Sequence, residues 1–471
     1  MNEQSRRWAG LAACVLLTLL IWFMPTPMGL ETQAWRILGV FAGVIAALIL
    51  RPFPMGAAVV FGLAALMTTQ TVDKKEALAG YGDSVVWLVA AAFLFANAVV
   101  TSGLGKRIAL TLVDKWGGSM IGLGYAVCGA ELILGPAIPS NTARGGGVLS
   151  PIVRSLAEAL DSHPDKNSER AGQYLIQLGA HANLIAAAMF LTGMAANPLV
   201  QDAAKDVLNV EFTWATWAWG ALMPGLFGLG ILPWFIRWLT KPTVEDTRPA
   251  QKAARLQLEE MGPWSRREIG IGVIFAGMIF LWATHKYLHG LGSTEVAWLG
   301  VAALLLTGFE DWSAVIKNSS AWDAVVWLGG LLSMATLLRE KGVASWFGDQ
   351  VGGWASGFGA TAAIVVLAVV YFYSMYGFSM LTGHIMALAG VFLSAAAGAG
   401  APAMASVALI AYFSNLCGCL TNYSTGPFVI YFSFRYVPAP RWFKTGFAVS
   451  LMHMAVWLGV GGLWWKLIGW W

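Results

Sequence analysis

The sequence predicts an all-α polytopic membrane protein with eleven transmembrane helices, two re-entrant hairpins and an inverted internal repeat. Three observations carry this. Only 11% of the 471 residues are charged and 58% are hydrophobic, whereas a soluble protein is about 25% charged. Apolar runs of roughly 20 residues, each long enough to cross a bilayer, recur from end to end. Two longer apolar blocks, 118–160 and 356–398, carry polar clusters at their centres.

The first segment, 1–34, holds a span over 8–25. Arg6 and Arg7 precede it and no convincing cleavage site comes after it, so it reads as a retained helix and not a signal peptide. A first repeat, 35–240, offers spans at 35–50, 55–70 and 84–102, then the interrupted block 118–160. After a polar stretch come 173–200 and 214–238. The charged segment 241–268 mixes both signs and reads as a solvated cytoplasmic linker. A second repeat, 269–471, offers 269–288, 295–309, 322–338, the interrupted block 356–398, then 403–434 and 446–468.

Each interrupted block is too long for one span, and a hairpin that enters and leaves on one side resolves this. With the N-terminus inside, nineteen of the 29 basic residues then fall in cytoplasmic segments and eight outside, while Arg144 and Arg154 lie in the first hairpin. This is the bias that the positive-inside rule requires. Counting either hairpin as a full span inverts every later segment and spoils the bias. The expected placement is a bacterial inner membrane, with the N-terminus cytoplasmic and the C-terminus outside.

Matched residues support the repeat. Val85-Val86-Trp87-Leu88 returns 240 positions later as Val325-Val326-Trp327-Leu328, and Thr142-Ala143-Arg144 returns at that offset as Thr382-Gly383-His384. Downstream of each hairpin lies a broken helix. One contains Asn183 and then Thr192-Gly193-Met194-Ala195-Ala196-Asn197-Pro198; the other contains Asn415 and then Thr421 to Pro427. Units in opposite orientation with paired interruptions are the signature of a secondary transporter whose site lies at the repeat interface.

The chemistry concentrates at Pro139-Ser140-Asn141-Thr142-Ala143-Arg144-Gly145-Gly146-Gly147. Small hydroxyls, an amide and open backbone N–H groups are what a carboxylate needs. An arginine at bilayer depth is by default functional. Taken alone, the stretch also fits a cytoplasmic loop with a solvated arginine. Glu131 either relays protons or pairs with Arg144 or Arg154, and a structural pair is the preferred reading. His181 and His453 read as packing histidines, Arg154 as snorkelling towards water, and the 24 tryptophans as interface anchors. Cys14, Cys128, Cys417 and Cys419 lie in apolar stretches and suggest neither a disulfide framework nor a zinc site. No Walker loop supports ATP-driven transport. No nucleophile–base pair or metal cluster supports an enzyme, and no cofactor, metal or nucleic-acid partner is expected.

Ser140-Asn141-Thr142, mirrored by the polar turn in the second half, resembles the tips of the divalent anion/sodium symporter family, carriers of di- and tricarboxylates. The resemblance covers nearly the whole chain. It implies a homodimer with a scaffold domain and a transport domain that moves as an elevator. It also implies that Ser140, Asn141 and Thr142, with Ser379 and Thr382, hold substrate carboxylates. Backbone around Thr192, Gly193, Asn197 and Pro198, and around Thr425, Gly426 and Pro427, completes the pocket.

Two features depart from the sodium-coupled pattern. Arg144 and His384 stand two residues after the threonine of each tip, and Met380-Leu381 replaces a Ser-Asn pair in the second. Sodium wants oxygen ligands, and a guanidinium in its place repels it. The chain is thus similar to the family's exchanger branch, the citrate/succinate antiporters and the plastid 2-oxoglutarate/malate translocator. Arg144 cannot lose its proton, so moving it without an anion incurs a desolvation cost of roughly several kcal/mol. His384, with an unperturbed pKa of about 6.5, adds charge when protonated. The expectation is a sodium-independent antiporter of di- and tricarboxylates. The alternatives are a sodium- or proton-coupled dicarboxylate symporter and an anion channel.

Overall fold

The computed structural model describes residues 3–244, 246–343, 346 and 359–471. Residues 356–358, the expected start of the second hairpin, lie outside the described residues, as do Met1, Asn2 and Glu245. In chain order the principal helices are α1 (Glu3–Phe23), α2 (Thr32–Leu50), α3 (Met55–Thr68), α4 (Ser84–Thr101), α5 (Leu104–Trp116), α6 (Met120–Leu134), α7 (Ser150–Ala159), α8 (Gly172–Met189), α9 (Asn197–Leu208), α10 (Trp214–Thr240), α11 (Arg248–Met261), α12 (Arg266–Thr284), α13 (Ser293–Leu306), α14 (Ser319–Glu340), α15 (Ala360–Ser374), α16 (Leu381–Gly398), α17 (Ala403–Leu416), α18 (Gly426–Ser433), α19 (Ala439–Met454) and α20 (Gly462–Leu467). Side-chain caps set several starts: Ser119 accepts the Gly122 N–H before α6, Thr213 that of Thr216 before α10, and Asn318 that of Ala321 before α14.

Among the described residues, nine helical segments are long and apolar enough to cross a membrane, and four shorter apolar helices accompany them. Length alone therefore does not reproduce the eleven expected spans. Both arms of the second hairpin, Ala360–Gly377 and Leu381–Gly398, qualify as spans, whereas α6 in the first has only 15 residues. The first hairpin is shorter because Gly135, Pro136 and Pro139 break it early.

Two compact units emerge, and each draws on both halves of the sequence. One comprises Met1–Ala90, Leu199–Glu211 and Asn318–Ile410; the other comprises Ala91–Pro198, Phe212–Lys317 and Ala411–Trp471. In the first unit, α2 packs against α1 and α3, and α14 against α3. Gly62 permits the close approach of α3 to α2, since a Cβ there would lie 2.5 Å from Val44 Cγ2. Tyr81 donates its hydroxyl to the Val326 carbonyl at 3.0 Å, and Arg339 pairs with Asp206.

The second unit is built round α8, every residue of which is buried; α6, α7, α10 and α18 pack against it. The segment 241–268, expected to be a solvated linker, instead forms α11 and docks on α5 and α7. Ala250 and Ala254 are its buried face. Thr247 donates to the Gly117 carbonyl at 2.7 Å, and Arg255 pairs with Asp114 at 2.9 Å. Mixed charge thus reflects an amphipathic helix with one dry side.

Arg107 locks this arrangement. Its Nε lies 2.6 Å from Glu268 Oε1, its Nη1 donates to the Gly262 carbonyl at 2.9 Å, and its guanidinium lies 5.2 Å from the Trp264 ring centre. Glu268 also completes a capping box with Ser265 at the head of α12. Removing one partner of a buried pair strands the other, so Glu268→Gln should cost about 3 kcal/mol. Ser265→Ala, which loses only the cap, should cost about 1 kcal/mol. Thermal unfolding of the full chain in detergent would read both; equal midpoints for the two variants would contradict this ranking.

Candidate functional site

The first hairpin descends along α6 and leaves the α-helix at Gly135. It runs without regular structure to Ser140, resumes as a wide π-type turn over Thr142–Leu149, and continues into α7. Two of the three glycines in this turn are matters of space. A Cβ on Gly145 would lie 2.6 Å from Asn183 Nδ2, and one on Gly146 would run into the Ile430 side chain. Wide turns of this kind recur at functional sites because they redirect side chains from the helical path.

Arg144 lies behind the tip and is wholly buried, as is Glu131. Its Nε donates to Glu131 Oε2 at 2.7 Å. Nη1 donates to the carbonyls of Ile138 at 2.7 Å and Gly193 at 2.9 Å, with Gly135 at 3.5 Å, and Nη2 donates to that of Asn183 at 3.4 Å. Asn183 Nδ2 in turn donates to both Glu131 oxygens at 3.0 Å and to the Asn141 carbonyl at 3.3 Å. The preferred reading of Glu131 as a paired carboxylate holds, with Arg144 as its partner; Arg154 instead pairs with Glu158 at 2.8 Å. This pairing changes the charge balance expected from the sequence. The guanidinium is a fixed cation, but its charge is balanced within the protein.

The tip itself faces outward from this pair. Ser140 Oγ accepts the Ala143 N–H at 3.1 Å, and Asn141 Nδ2 donates to Thr425 Oγ1 at 2.9 Å. Thr142 is exposed and abuts Gly426, where a Cβ would collide with the threonine hydroxyl. At the first broken helix, Thr192 donates to the Pro136 carbonyl at 3.0 Å. Asn197 Nδ2 donates to the carbonyls of Ala187 and Phe190, and Asn415 donates to Asn197 Oδ1 at 2.8 Å. Helices α9 and α18 begin at these breaks, with Pro198 and Pro427 as their second residues. Helix N-termini carry partial positive charge and free N–H groups suited to a carboxylate.

One unit therefore brings together Ser140, Asn141, Thr142, Arg144, Thr192, Gly193, Asn197, Pro198, Thr425, Gly426 and Pro427. Ser379, Thr382 and His384 belong to the other. There, Ser379 Oγ donates to the Ile49 carbonyl at 2.9 Å, and Arg51 Nη2 donates to the Ser379 carbonyl at 2.6 Å. His384 is buried; its Nε2 lies 3.0 Å from the Tyr371 carbonyl and 2.8 Å from Ser374 Oγ, and its ring packs 4.4 Å from that of Tyr371. Thr382 is half-buried beside it. Two contributors, Asn183 and Asn415, were not expected to belong to the site. The available signal was an amide inside an otherwise apolar, fully buried run. Among the described residues, no group of three or more His, Cys, Asp or Glu side chains could hold a metal ion.

The Arg144–Glu131 pair is expected to behave as a unit. Glu131→Leu or Arg144→Met alone strands a buried charge and should cost about 3–5 kcal/mol. The double variant should cost much less than the sum, with a coupling of about 2 kcal/mol or more in a thermal double-mutant cycle. Additive losses would show that the two side chains act independently.

Comparison with known proteins matches this architecture. The family described as the sodium:sulfate symporter transmembrane region matches residues 5–471. The putative malate transporter YflS of Bacillus subtilis is 40% identical over 471 residues, covering 100% of this chain and 98% of that protein. The chloroplastic dicarboxylate transporter 1 of Spinacia oleracea is 37% identical, covering 99% and 84%. The L-tartrate/succinate antiporter of Escherichia coli K12 is 32% identical, covering 99% and 100%. The fold alone is shared with the YdaH transporter of Alcanivorax borkumensis, at TM-score 0.59 and 15% identity over 87% of this chain and 90% of that one. MtrF of Neisseria gonorrhoeae gives 0.58 at 12% identity, over 98% and 95%. The relatives are transporters and not enzymes, and this multi-pass chain belongs to the sodium:sulfate symporter transmembrane-region family, the divalent anion/sodium symporters.

Proposed function

We propose that this chain is a sodium-independent antiporter that exchanges di- or tricarboxylates by alternating access. One observation carries the reading: the Arg144 guanidinium fills a cage of backbone carbonyls and a carboxylate. The carbonyls of Gly135, Ile138, Asn183 and Gly193, with Glu131, are the oxygen-rich set that a hard cation would take. Here a covalently attached cation takes it and cannot leave. Nothing dissociates with the substrate to prepare an empty carrier for its return. An empty site would carry the exposed Thr142 hydroxyl and two helix N-termini through the barrier, at a desolvation cost that a bound carboxylate removes.

Substrate carboxylates would meet Ser140, Asn141, Thr142, Thr425 and Gly426, and the family resemblance also assigns carboxylate contacts to Ser379 and Thr382. His384 is the titratable group closest in sequence to the second tip. The relatives named for malate, dicarboxylate and tartrate/succinate transport support the substrate class, and the last supports antiport. Family resemblance supports a homodimer with scaffold and elevator domains built from inverted repeats over 35–240 and 269–471. The basic-residue bias supports an N-terminus inside, and the bacterial relatives support an inner membrane.

A second reading is cation-coupled symport. The neutral Arg144–Glu131 pair favours it, because the empty carrier gains no net charge from that pair. Efflux of labelled succinate from proteoliposomes separates the two. Exchange predicts at least tenfold faster efflux with external dicarboxylate and no change on replacing sodium. Efflux that needs sodium and proceeds without counter-substrate would establish the second reading.

A further inference from the structure

Beside the second hairpin tip, the first compact unit holds a cavity of about 980 Å³ whose lining includes Gln4, Arg7, Leu48, Arg51, Phe53 and Met380. Both arginines are exposed. Arg7 lies 4.9 Å from the centre of the Phe53 ring, and Arg51 spends one nitrogen on the Ser379 carbonyl. These contacts are with a ring and a carbonyl, and among the described side chains no ion pair with a carboxylate joins either guanidinium. Arg51 is held in place by its backbone. It closes α2 in the left-handed conformation, φ 53°, with its N–H on the Ala47 carbonyl at 2.9 Å.

A second cavity, of about 270 Å³, adjoins the first and shares Ala47, Pro52 and Phe53 with it as lining. It is a groove between α1, α2 and α3 with Leu11, Val15 and Leu19 on one wall and Phe61 and Ala65 on another. Leu11 to Leu19 covers about 12 Å at the helical rise. Val15, Leu19 and Phe61 present side chains at its open edge. A dianionic metabolite would use the arginines and leave the groove unused. A free phosphate would do the same.

We propose that these adjoining cavities together bind an anionic glycerophospholipid. Its phosphate would sit between Arg7 and Arg51, and one acyl chain would lie in the α1–α2–α3 groove. Guanidiniums are the side chains suited to phosphate oxygens. Because Arg51 also holds the Ser379 carbonyl, the lipid shares a ligand with the second hairpin tip. Lipid retention is counted without any transport step, so the test stands apart from the efflux experiment.

The test uses the full-length protein, delipidated and exposed in mixed micelles to phosphatidylglycerol or phosphatidylcholine of the same chain length, with retained lipid counted by native mass spectrometry. The expected result is at least tenfold preferential retention of phosphatidylglycerol. Arg7→Gln should bring that preference below threefold. Arg36→Gln, which removes an arginine lying 5.1 Å from the Trp22 ring, should leave it unchanged. Leu19→Gln should weaken retention of long-chain lipid. Equal retention of the two lipids, or equal loss in Arg7→Gln and Arg36→Gln, would overturn the proposal. Displacement of phosphatidylglycerol by millimolar inorganic phosphate or succinate would also overturn it, by assigning the arginines to a soluble anion.

Discussion

The buried bond between Arg144 and Glu131 ties the two arms of the first hairpin together, Asn183 and the Gly193 carbonyl fasten that pair to the broken helix, and the rest of the site depends on it. A chain that leaves the helix inside a membrane exposes carbonyls that lipid cannot satisfy. Three of these, from Gly135, Ile138 and Gly193, converge on one guanidinium, joined there by the Asn183 carbonyl of α8. The carboxylate opposite is held by that guanidinium and by the Asn183 amide. Each group is costly to bury alone, and together they are satisfied. The non-helical backbone needed for binding is thereby stabilised from behind, leaving Thr142 exposed at the tip.

Close backbone approach is the second constraint. Gly145 sits against Asn183 and Gly426 against Thr142, so the hairpin touches one broken helix at its back and the other at its front. Asn141 bonds Thr425, and Asn415 bonds Asn197, so the two breaks are also tied to each other. These ties make the tip and both breaks one body in which a carboxylate would meet several donors at once. Preorganised donors of this kind bind an anion without first being ordered.

Much of this was legible in the sequence, because membrane proteins write their constraints in composition. Apolar runs marked the helices, and Pro139 with the three glycines marked the break. Arg144 stood out because charge is rare at that depth, and Glu131 stood out for the same reason. The direction of the Arg144 side chain was not legible. One residue cannot reveal whether its partner is a substrate or a carboxylate thirteen residues earlier. The docked helix over Arg248–Met261 was hidden by its high charge, since its dry face is only two alanines wide. Asn183 was visible as an amide in an apolar run, but its role required knowing that Glu131 lay opposite.

The account rests on Arg144 serving as a resident cation in an oxygen cage. The most direct measurement is dicarboxylate exchange by Arg144→Ala in proteoliposomes, with the variant first shown to be monodisperse. External guanidinium or sodium at millimolar concentration should restore its rate at least fivefold and leave the wild-type rate unchanged. A folded Arg144→Ala protein that exchanges at the wild-type rate without added cation, or that no cation restores, would contradict the account.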